Sequence, residues 1–270
     1  MSHEGTAGYV KTVLIYHAGD DLTRHGFARW LASFSRLCGI VEIHEDGSRG
    51  KQRIRAELRR VGWLRFLFDV LPCRVYSRLI DAPKDRIWTQ NKLVELREMY
   101  PELPDDIEVL KSDSPNSPET REFLQRLAPD MVVARCKTLI NKEIYLIPPD
   151  GILILHPGIC PEYRNAHGCF WALANNEPDK VGMTLLRIDA GIDTGPVYGY
   201  YSYAFDVRRD TPAIIHARVV YDNLDALREK FLEIHAGKAS AISTEGRASG
   251  VWGQPWLSKY LEIKRRAAAK

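Results

Sequence analysis

Two titratable residues, His156 and Asp193, each follow an apolar run that is typical of a buried strand. Residues 151–155 run into His156, and residues 183–188 run into the loop that carries Asp193. An imidazole changes charge near neutral pH, so it can accept or donate a proton, and a carboxylate beside it can orient the ring and stabilise its charged form. Open α/β sheets build reaction sites from side chains at strand ends. We therefore expect His156 and Asp193 to lie within hydrogen-bond reach, directly or through one water, at the carboxyl edge of a sheet.

The loop around Asp193 also carries Gly191 and Gly195. Glycine allows the left-handed backbone that lets a main chain approach a ligand closely. Taken alone, these residue types favour a structural role, because a buried histidine bonded to a carbonyl and an aspartate in an Asx-turn are both common. Together with the surrounding motif, however, they favour a functional role for His156 and Asp193.

Residues 148–199 resemble the folate-dependent formyltransferases, a family that includes glycinamide ribonucleotide, methionyl-tRNA and sugar N-formyltransferases. The family pattern is roughly Asn-x-His-Pro-Ser/Gly-x-x-Pro-x-Tyr-Arg-Gly, followed by a second segment that ends in Asp-x-Gly. The chain has the His-Pro pair at His156, the Tyr163-Arg164 pair and Asp193. It departs from the pattern at the family asparagine, two residues before the histidine, where it has Ile154.

The resemblance implies an enzyme that transfers a formyl group from 10-formyltetrahydrofolate to an amine. It implies that His156 is the base or the partner of the oxyanion, and that Asp193 is its orienting carboxylate. By position, the folate pocket would be formed by two segments, comprising Arg135, Cys136, Lys137, Leu139, Ile140, Asp189, Gly191 and Ile192. We expect a small-molecule acceptor, an amino sugar nucleotide or an amino acid derivative. We do not expect nucleic acid, because residues 236–270 are too short for the β-barrel that methionyl-tRNA formyltransferases carry at their C-terminus.

Ile154 bears directly on the expected chemistry. An asparagine amide at this position would donate to the developing oxyanion, and losing one such donor costs about 2.7–4 kcal/mol. Asn165 and His167, which follow the Tyr-Arg pair, are the neighbours that could supply an N–H instead. Three possibilities stay open: a formyltransferase, a formyltetrahydrofolate hydrolase that uses water as acceptor, and a binding protein whose catalytic site has decayed.

The remaining patterns predict an α/β fold with a largely parallel, Rossmann-like sheet of the formyltransferase type, a helical insertion and a short C-terminal extension. Apolar runs predict strands over 13–16, 40–44 and 130–134, and helical spacing covers 23–38. Ser117 and Pro118 predict the start of a helix that reaches Leu127. We expect a catalytic domain over 10–205. The C-terminal part, 206–270, is expected to consist of a helix over 213–235 and a tail.

Residues 49–100 look inserted and begin with a strongly basic segment. The favoured interpretation of 49–78 is a pair of helices that present arginines to water and turn Trp63, Leu64, Leu67 and Phe68 towards the sheet or a partner. The alternatives are a surface for an anionic substrate or partner, and an interfacial membrane helix.

Composition and the absence of common motifs limit the classes of function that remain. The chain has 270 residues, 45% of them apolar, and a net charge of +3, so charge alone does not make the whole molecule a polyanion binder. Five cysteines without a Cys-x-x-Cys spacing, and no signal-peptide pattern, predict a cytoplasmic protein with free thiols. We find no G-x-G-x-x-G after the first strand, no P-loop and no metal-binding motif. The oligomeric state is left open.

Overall fold

The computed structural model describes residues 9–45 and 47–269. Within these residues, the strands form one seven-stranded sheet and one short two-stranded ladder. The strands are β1 (Lys11–His17), β2 (Arg36–Ile43), β3 (Glu108–Ser112), β4 (Met131–Arg135), β5 (Ile152–His156), β6 (Arg164–Asn165), β7 (Met183–Arg187), β8 (Val197–Tyr201) and β9 (Val251–Trp252).

The large sheet has the strand order β3-β2-β1-β4-β5-β7-β8. The first five strands in this order are parallel to one another, whereas β7 runs antiparallel to both β5 and β8. The predicted α/β fold with a largely parallel sheet is therefore confirmed. The expectation that Asp193 follows the carboxyl end of a strand parallel to β5 is wrong. Strand β7 is antiparallel to β5, with Arg187 opposite Leu153, so β7 ends at the sheet edge opposite the one at which His156 lies. Asp193 reaches His156 through its loop, not through the end of a parallel strand.

Helices cover both faces of the sheet. They are α1 (Ala28–Ala32), α2 (Gly47–Val61), α3 (Trp63–Arg65), α4 (Leu71–Tyr76), α5 (Ala82–Met99), α6 (Pro118–Leu127), α7 (Lys142–Tyr145), α8 (Gly168–Ala174), α9 (Pro212–Tyr221), α10 (Leu224–His235) and α11 (Leu257–Ala268), with π-helical turns at Thr23–Phe27, Phe66–Val70 and Ser77–Asp81 and a 3₁₀ turn at Pro178–Lys180. No helix in the described ranges is long and apolar enough to cross a membrane.

The core has a layer on each side of the sheet, and β5 shows how the sequence divides between them. Leu153 and Leu155 pack in the larger layer, which contains the aromatic residues of α1 and α8. Ile152 and Ile154 point to the opposite layer with β1 and α6. Since alternate residues of a strand share a face, His156 lies on the same side as Ile154.

Two predicted helices end earlier than their apolar spacing suggested. The helix expected over 23–38 ends at Ala32, because the hydroxyls of Ser33 and Ser35 donate to the carbonyls of Trp30 and Leu31, both at 2.7 Å, and such bonds compete with helix propagation. The helix expected over 213–235 is two helices. It breaks at Asn223, whose side-chain amide donates to the carbonyls of Val219 and Ser202. The start at Ser117 is confirmed, since its hydroxyl accepts from the Thr120 N–H at 3.2 Å.

The inserted segment is helical, as predicted, but the expectation that its apolar side chains turn towards the sheet is wrong, and their contact with a partner stays a prediction. Trp63, Leu64, Leu67 and Phe68 point outward and are 46–69% exposed. The side chains that turn inward from the same segment are Val70 and Cys73, which lie a helical turn or more further along the chain. Gly62, with φ of +80°, ends α2 and sets the direction of the next turn.

Candidate active site

His156 ends β5 and is fixed by the turn that follows it. Its side chain is buried, and Nε2 lies 2.7 Å from the carbonyl oxygen of Tyr163. Because a carbonyl oxygen only accepts, Nε2 carries a proton and Nδ1 is the nitrogen that faces the rest of the site. Gly158 makes this contact possible: a Cβ at this position would lie 2.7 Å from Nε2 and 2.4 Å from the Tyr163 oxygen. No other residue fits between the ring and the backbone.

Asp193 faces Nδ1 from the loop between β7 and β8. Its Oδ2 is 3.5 Å from His156 Nδ1 and accepts a 2.7 Å hydrogen bond from the backbone N–H of Asn165. The predicted proximity of His156 and Asp193 is therefore confirmed. Asp193 has φ of +51°, a left-handed conformation that aspartate adopts more readily than most residues.

The loop around Asp193 is held by its own hydrogen bonds. Asp189 Oδ1 accepts from the Gly191 N–H at 2.9 Å and from the Thr194 hydroxyl at 2.7 Å. Gly195 packs directly on the main chain, because a Cβ there would lie 1.8 Å from the Arg187 carbonyl oxygen. Asp189 thus orders the loop that presents Asp193.

Nδ1 is the ring nitrogen that can exchange a proton, because Nε2 is held by the Tyr163 carbonyl. The Asp193 carboxylate beside Nδ1 orients the ring. The arrangement can therefore exchange a proton with a reacting group, or present an N–H from Nδ1 to it.

Both neighbours proposed to replace the missing amide have other partners. The Asn165 side-chain amide donates to the carbonyl of Trp252, so it is directed towards β9. His167, immediately before α8 and with φ of +56°, bonds to the Gln254 side chain and packs beside His216 of α9, their ring centroids 6.4 Å apart. His216 is a site residue that sequence reasoning missed, since only the fold brings α9 to this position.

Both of these histidines are neutral at physiological pH. Burial, with the charges of Lys137 and Arg74, lowers the pKa of His167 to about 4. Burial, reinforced by His167 and His156, lowers the pKa of His216 to about 3. His216 is exposed to solvent although its ring lies beside His167, which is the environment of a residue that lines a cleft. A neutral imidazole can donate one N–H without bringing a positive charge beside His156.

Ile154 lies on the same face of β5 as His156, as predicted. It is half-buried and packs against the apolar layer that also contacts Cys136 and Ile188. All three side chains are partly buried against this layer. The place of the family's amide is thus filled with hydrocarbon that provides no hydrogen-bond donor.

The first of the two segments expected to form a folate pocket, which contains Arg135 and Lys137, contacts several other elements. Arg135 donates from Nε to the Thr23 hydroxyl at 2.9 Å, and its guanidinium lies over the Phe27 and Tyr221 rings. The backbone N–H of Lys137 donates to His17 Nε2 at 2.8 Å. Arg135 is thus anchored by the start of the first helical segment and by α9.

The other predicted pocket residues differ in exposure. Leu139 is 60% exposed and Ile140 is buried in the core. Cys136 is half-buried, and burial raises the pKa of its thiol to about 11, which keeps it protonated. In the second segment, the Ile192 carbonyl accepts from the Arg164 guanidinium at 3.1 Å. Their contact with folate stays a prediction.

The C-terminal segment completes the site. Strand β9 pairs with β6, and the Trp252 ring stacks against both Tyr163 and Trp171. The Trp252 indole N–H donates to the Glu162 carbonyl at 2.8 Å. The loop that carries Tyr163 and Asn165 is thus held by a part of the chain 90 residues away in sequence.

A model of the formyl transferase family matches residues 84–231, more than half of the chain. The chain belongs to this family. It is 34% identical over 175 residues to a methionyl-tRNA formyltransferase of Dehalococcoides mccartyi, covering 62% of the chain and 55% of that protein. It is 43% identical over 81 residues to the methionyl-tRNA formyltransferase of Thermus thermophilus, covering 30% of the chain and 26% of that protein. The chain thus spans about half the length of the first of these relatives and less of the second.

Solved structures share the fold at low sequence identity. A 4-N formyltransferase from Francisella tularensis superposes with a TM-score of 0.55 at 11% identity, covering 96% of this chain and 88% of that one. Glycinamide ribonucleotide transformylase 1 from Symbiobacterium toebii gives a TM-score of 0.53 at 15% identity, covering 91% and 96%. At these identities the similarity establishes the fold alone.

Proposed function

We propose that this protein transfers a formyl group from 10-formyltetrahydrofolate to the amine of a small molecule. The observation that carries the proposal is the His156–Asp193 pair, held at 3.5 Å with Nδ1 directed towards the carboxylate. Membership of the formyl transferase family supports the reaction class. The sugar and ribonucleotide formyltransferases that share the fold make an amino sugar nucleotide or an amino acid derivative a reasonable acceptor class.

The residues around the pair fit a flat, largely apolar folate ring. Cys136, Ile154 and Ile188 are partly buried apolar side chains of the layer that lies on the His156 side of the sheet, and the loop at Asp189–Asp193 offers backbone polar groups. When bound, 10-formyltetrahydrofolate supplies the formyl carbon. The side chains of this pocket orient it and keep bulk water away from the reacting atoms.

We propose separate roles for the two members of the pair. When its ring carries a proton on Nδ1, His156 shares that N–H between Asp193, 3.5 Å away, and the formyl oxygen, where negative charge develops as the amine attacks. Asp193 orients the ring and accepts the proton that the amine loses as the new C–N bond forms, directly or through a water. That proton then neutralises the folate nitrogen as its bond to the formyl carbon breaks.

His167 is the candidate for the donor that Ile154 does not provide. It is neutral at physiological pH, two residues from the Asn165 N–H that binds Asp193, and next to His216. The Asn165 side chain is committed to Trp252. We assign His167 to the oxyanion side of the site and His216 to its support.

Turnover with 10-formyltetrahydrofolate tests the proposal. The protein is incubated with the donor and a panel of amino sugar nucleotides and amino acid derivatives, and tetrahydrofolate release is followed together with the formamide product by mass spectrometry. Release that requires an amine, with formylated product, is the expected result. Formate release without any acceptor would indicate a hydrolase. Tight folate binding without turnover would indicate a decayed site, and formylation of methionyl-tRNA alone would overturn the acceptor class.

A further inference from the structure

Helix α2 is an amphipathic helix whose apolar side faces solvent. Nearly all of its side chains that the structure describes are exposed, including Ile54 and Leu58, which are four residues apart and so lie on one side of the helix. A surface helix of a globular protein normally buries this stripe against the core. The unburied stripe is therefore a surface suited to a partner outside the chain.

The apolar surface continues beyond α2. Trp63, Leu64 and Phe68 are exposed by 64%, 55% and 69%. They line a groove of about 730 Å³ whose other wall is formed by Leu257 and Leu261 of α11. Exposed apolar surface of this extent marks an interaction site in a water-soluble domain. We call α2 together with residues 63–71 the docking surface.

The docking surface is strongly basic. Residues 49–65 contain seven basic residues and one acidic residue, a net charge of +6, whereas the whole chain has +3, which leaves −3 for the remainder. Within the described part of the chain, Lys51, Arg55 and Arg59 are exposed and form no ion pair. The positive charge is thus concentrated around the exposed tryptophan and phenylalanine.

We propose that the docking surface binds the headgroup region of a bilayer that contains anionic lipids. Tryptophan, phenylalanine and leucine enter the boundary between headgroups and acyl chains, and neighbouring arginines attract anionic headgroups. A second copy of the chain is a poorer occupant, because a two-fold contact would bring two segments of +6 together. RNA would engage the arginines and leave the apolar side chains in water.

The docking surface lies beside the candidate active site. Glu57 of α2 accepts from the Gln254 N–H at 3.3 Å, and the Gln254 side chain in turn bonds to His167. A bilayer held at α2 would therefore lie near the rim of the cleft. Binding itself requires no turnover, so it can be measured independently of the proposed reaction.

Sedimentation with vesicles tests the proposal. The protein is mixed with vesicles of phosphatidylcholine alone and of phosphatidylcholine with phosphatidylglycerol, at low and high salt. We expect binding to the anionic vesicles only, weakening as salt screens the charges. W63S/F68S should weaken binding at least about tenfold. R55Q/R59Q should weaken it about fivefold per charge removed.

Matched controls come from exposed residues on other elements. L146S removes an apolar side chain of comparable exposure, and K142Q/K238Q removes two exposed charges; neither should change vesicle binding. Circular dichroism verifies that each variant is folded. Equal binding by the wild type and W63S/F68S would overturn the proposal. So would a dimer that W63S/F68S dissociates, or binding to an RNA hairpin that only R55Q/R59Q weakens.

Discussion

At the residue scale, both nitrogens of His156 are assigned by their surroundings. The Tyr163 carbonyl fixes the proton on Nε2, and Asp193 faces Nδ1. The sequence predicted this pair because its motif follows two apolar runs. It did not predict His216, because a histidine within a helix carries no signal of which cleft the helix will face. It also did not show that the Asn165 amide is bound to Trp252.

Replacing Ile154 by asparagine tests how the site stabilises charge on the formyl oxygen. If the site is one donor short, Ile154→Asn should raise kcat/KM for formyl transfer, by at most about 10²–10³. Ile154→Val, which keeps the side chain apolar, is the control and should leave the rate nearly unchanged. If His167 already provides the donor, Ile154→Asn should have little effect, and His167→Ala should abolish turnover. An unchanged rate in both Ile154→Asn and His167→Ala would exclude both accounts.

At the element scale, the structure shows how an antiparallel strand still delivers Asp193 to His156. The loop between β7 and β8 folds back, ordered by Asp189 and by the close approach of Gly195 to the Arg187 carbonyl. Strand positions could be predicted from apolar runs, but strand direction could not, because a buried strand is apolar in either orientation. Similarly, the helical spacing over 49–78 identified a helix without indicating which side the core would cover.

A methyl group at Gly195 should disturb this loop. Its Cβ would lie 1.8 Å from the Arg187 carbonyl oxygen, so Gly195→Ala must displace main chain. We expect a loss of about 1–3 kcal/mol in the free energy of unfolding and a fall in activity, because Asp193 moves away from His156. Urea unfolding and formyl-transfer rates measure the two effects. Gly50→Ala, on the open side of α2, is the control and should not reduce stability.

At the scale of the whole molecule, the Rossmann-like sheet could be predicted from the sequence, but the way the C-terminal segment completes the site could not. Strand β9 is only two residues long and pairs with β6 across a large sequence separation. Short pairings of this kind depend on the final packing of Trp252 against Tyr163 and Trp171, which no local pattern encodes. The position of α9, which brings His216 beside His167, is likewise set by the fold as a whole.

His216 should make the stability of the fold depend on pH. The pKa of His216 is lowered to about 3 in the folded protein, below its ordinary value of about 6.5, so the unfolded chain binds more protons between these values. Stability from this group is therefore complete above about pH 6.5 and is lost as the pH falls towards 3. In His216→Gln the fall in Tm between about pH 7 and pH 4.5 should be smaller than in the wild type. An identical fall in both proteins would show that His216 titrates normally.

The central claim is that His156, paired with Asp193, carries out formyl transfer. The most direct test compares tetrahydrofolate release by the wild type, His156→Gln and His235→Gln, at saturating 10-formyltetrahydrofolate and amine. His235 is the matched control, since it forms a similar pair with Asp150, at 2.7 Å, on α10. We expect His156→Gln to lose at least about 10²-fold in kcat while still binding the folate, and His235→Gln to keep the wild-type rate. A wild-type rate in His156→Gln would contradict the account.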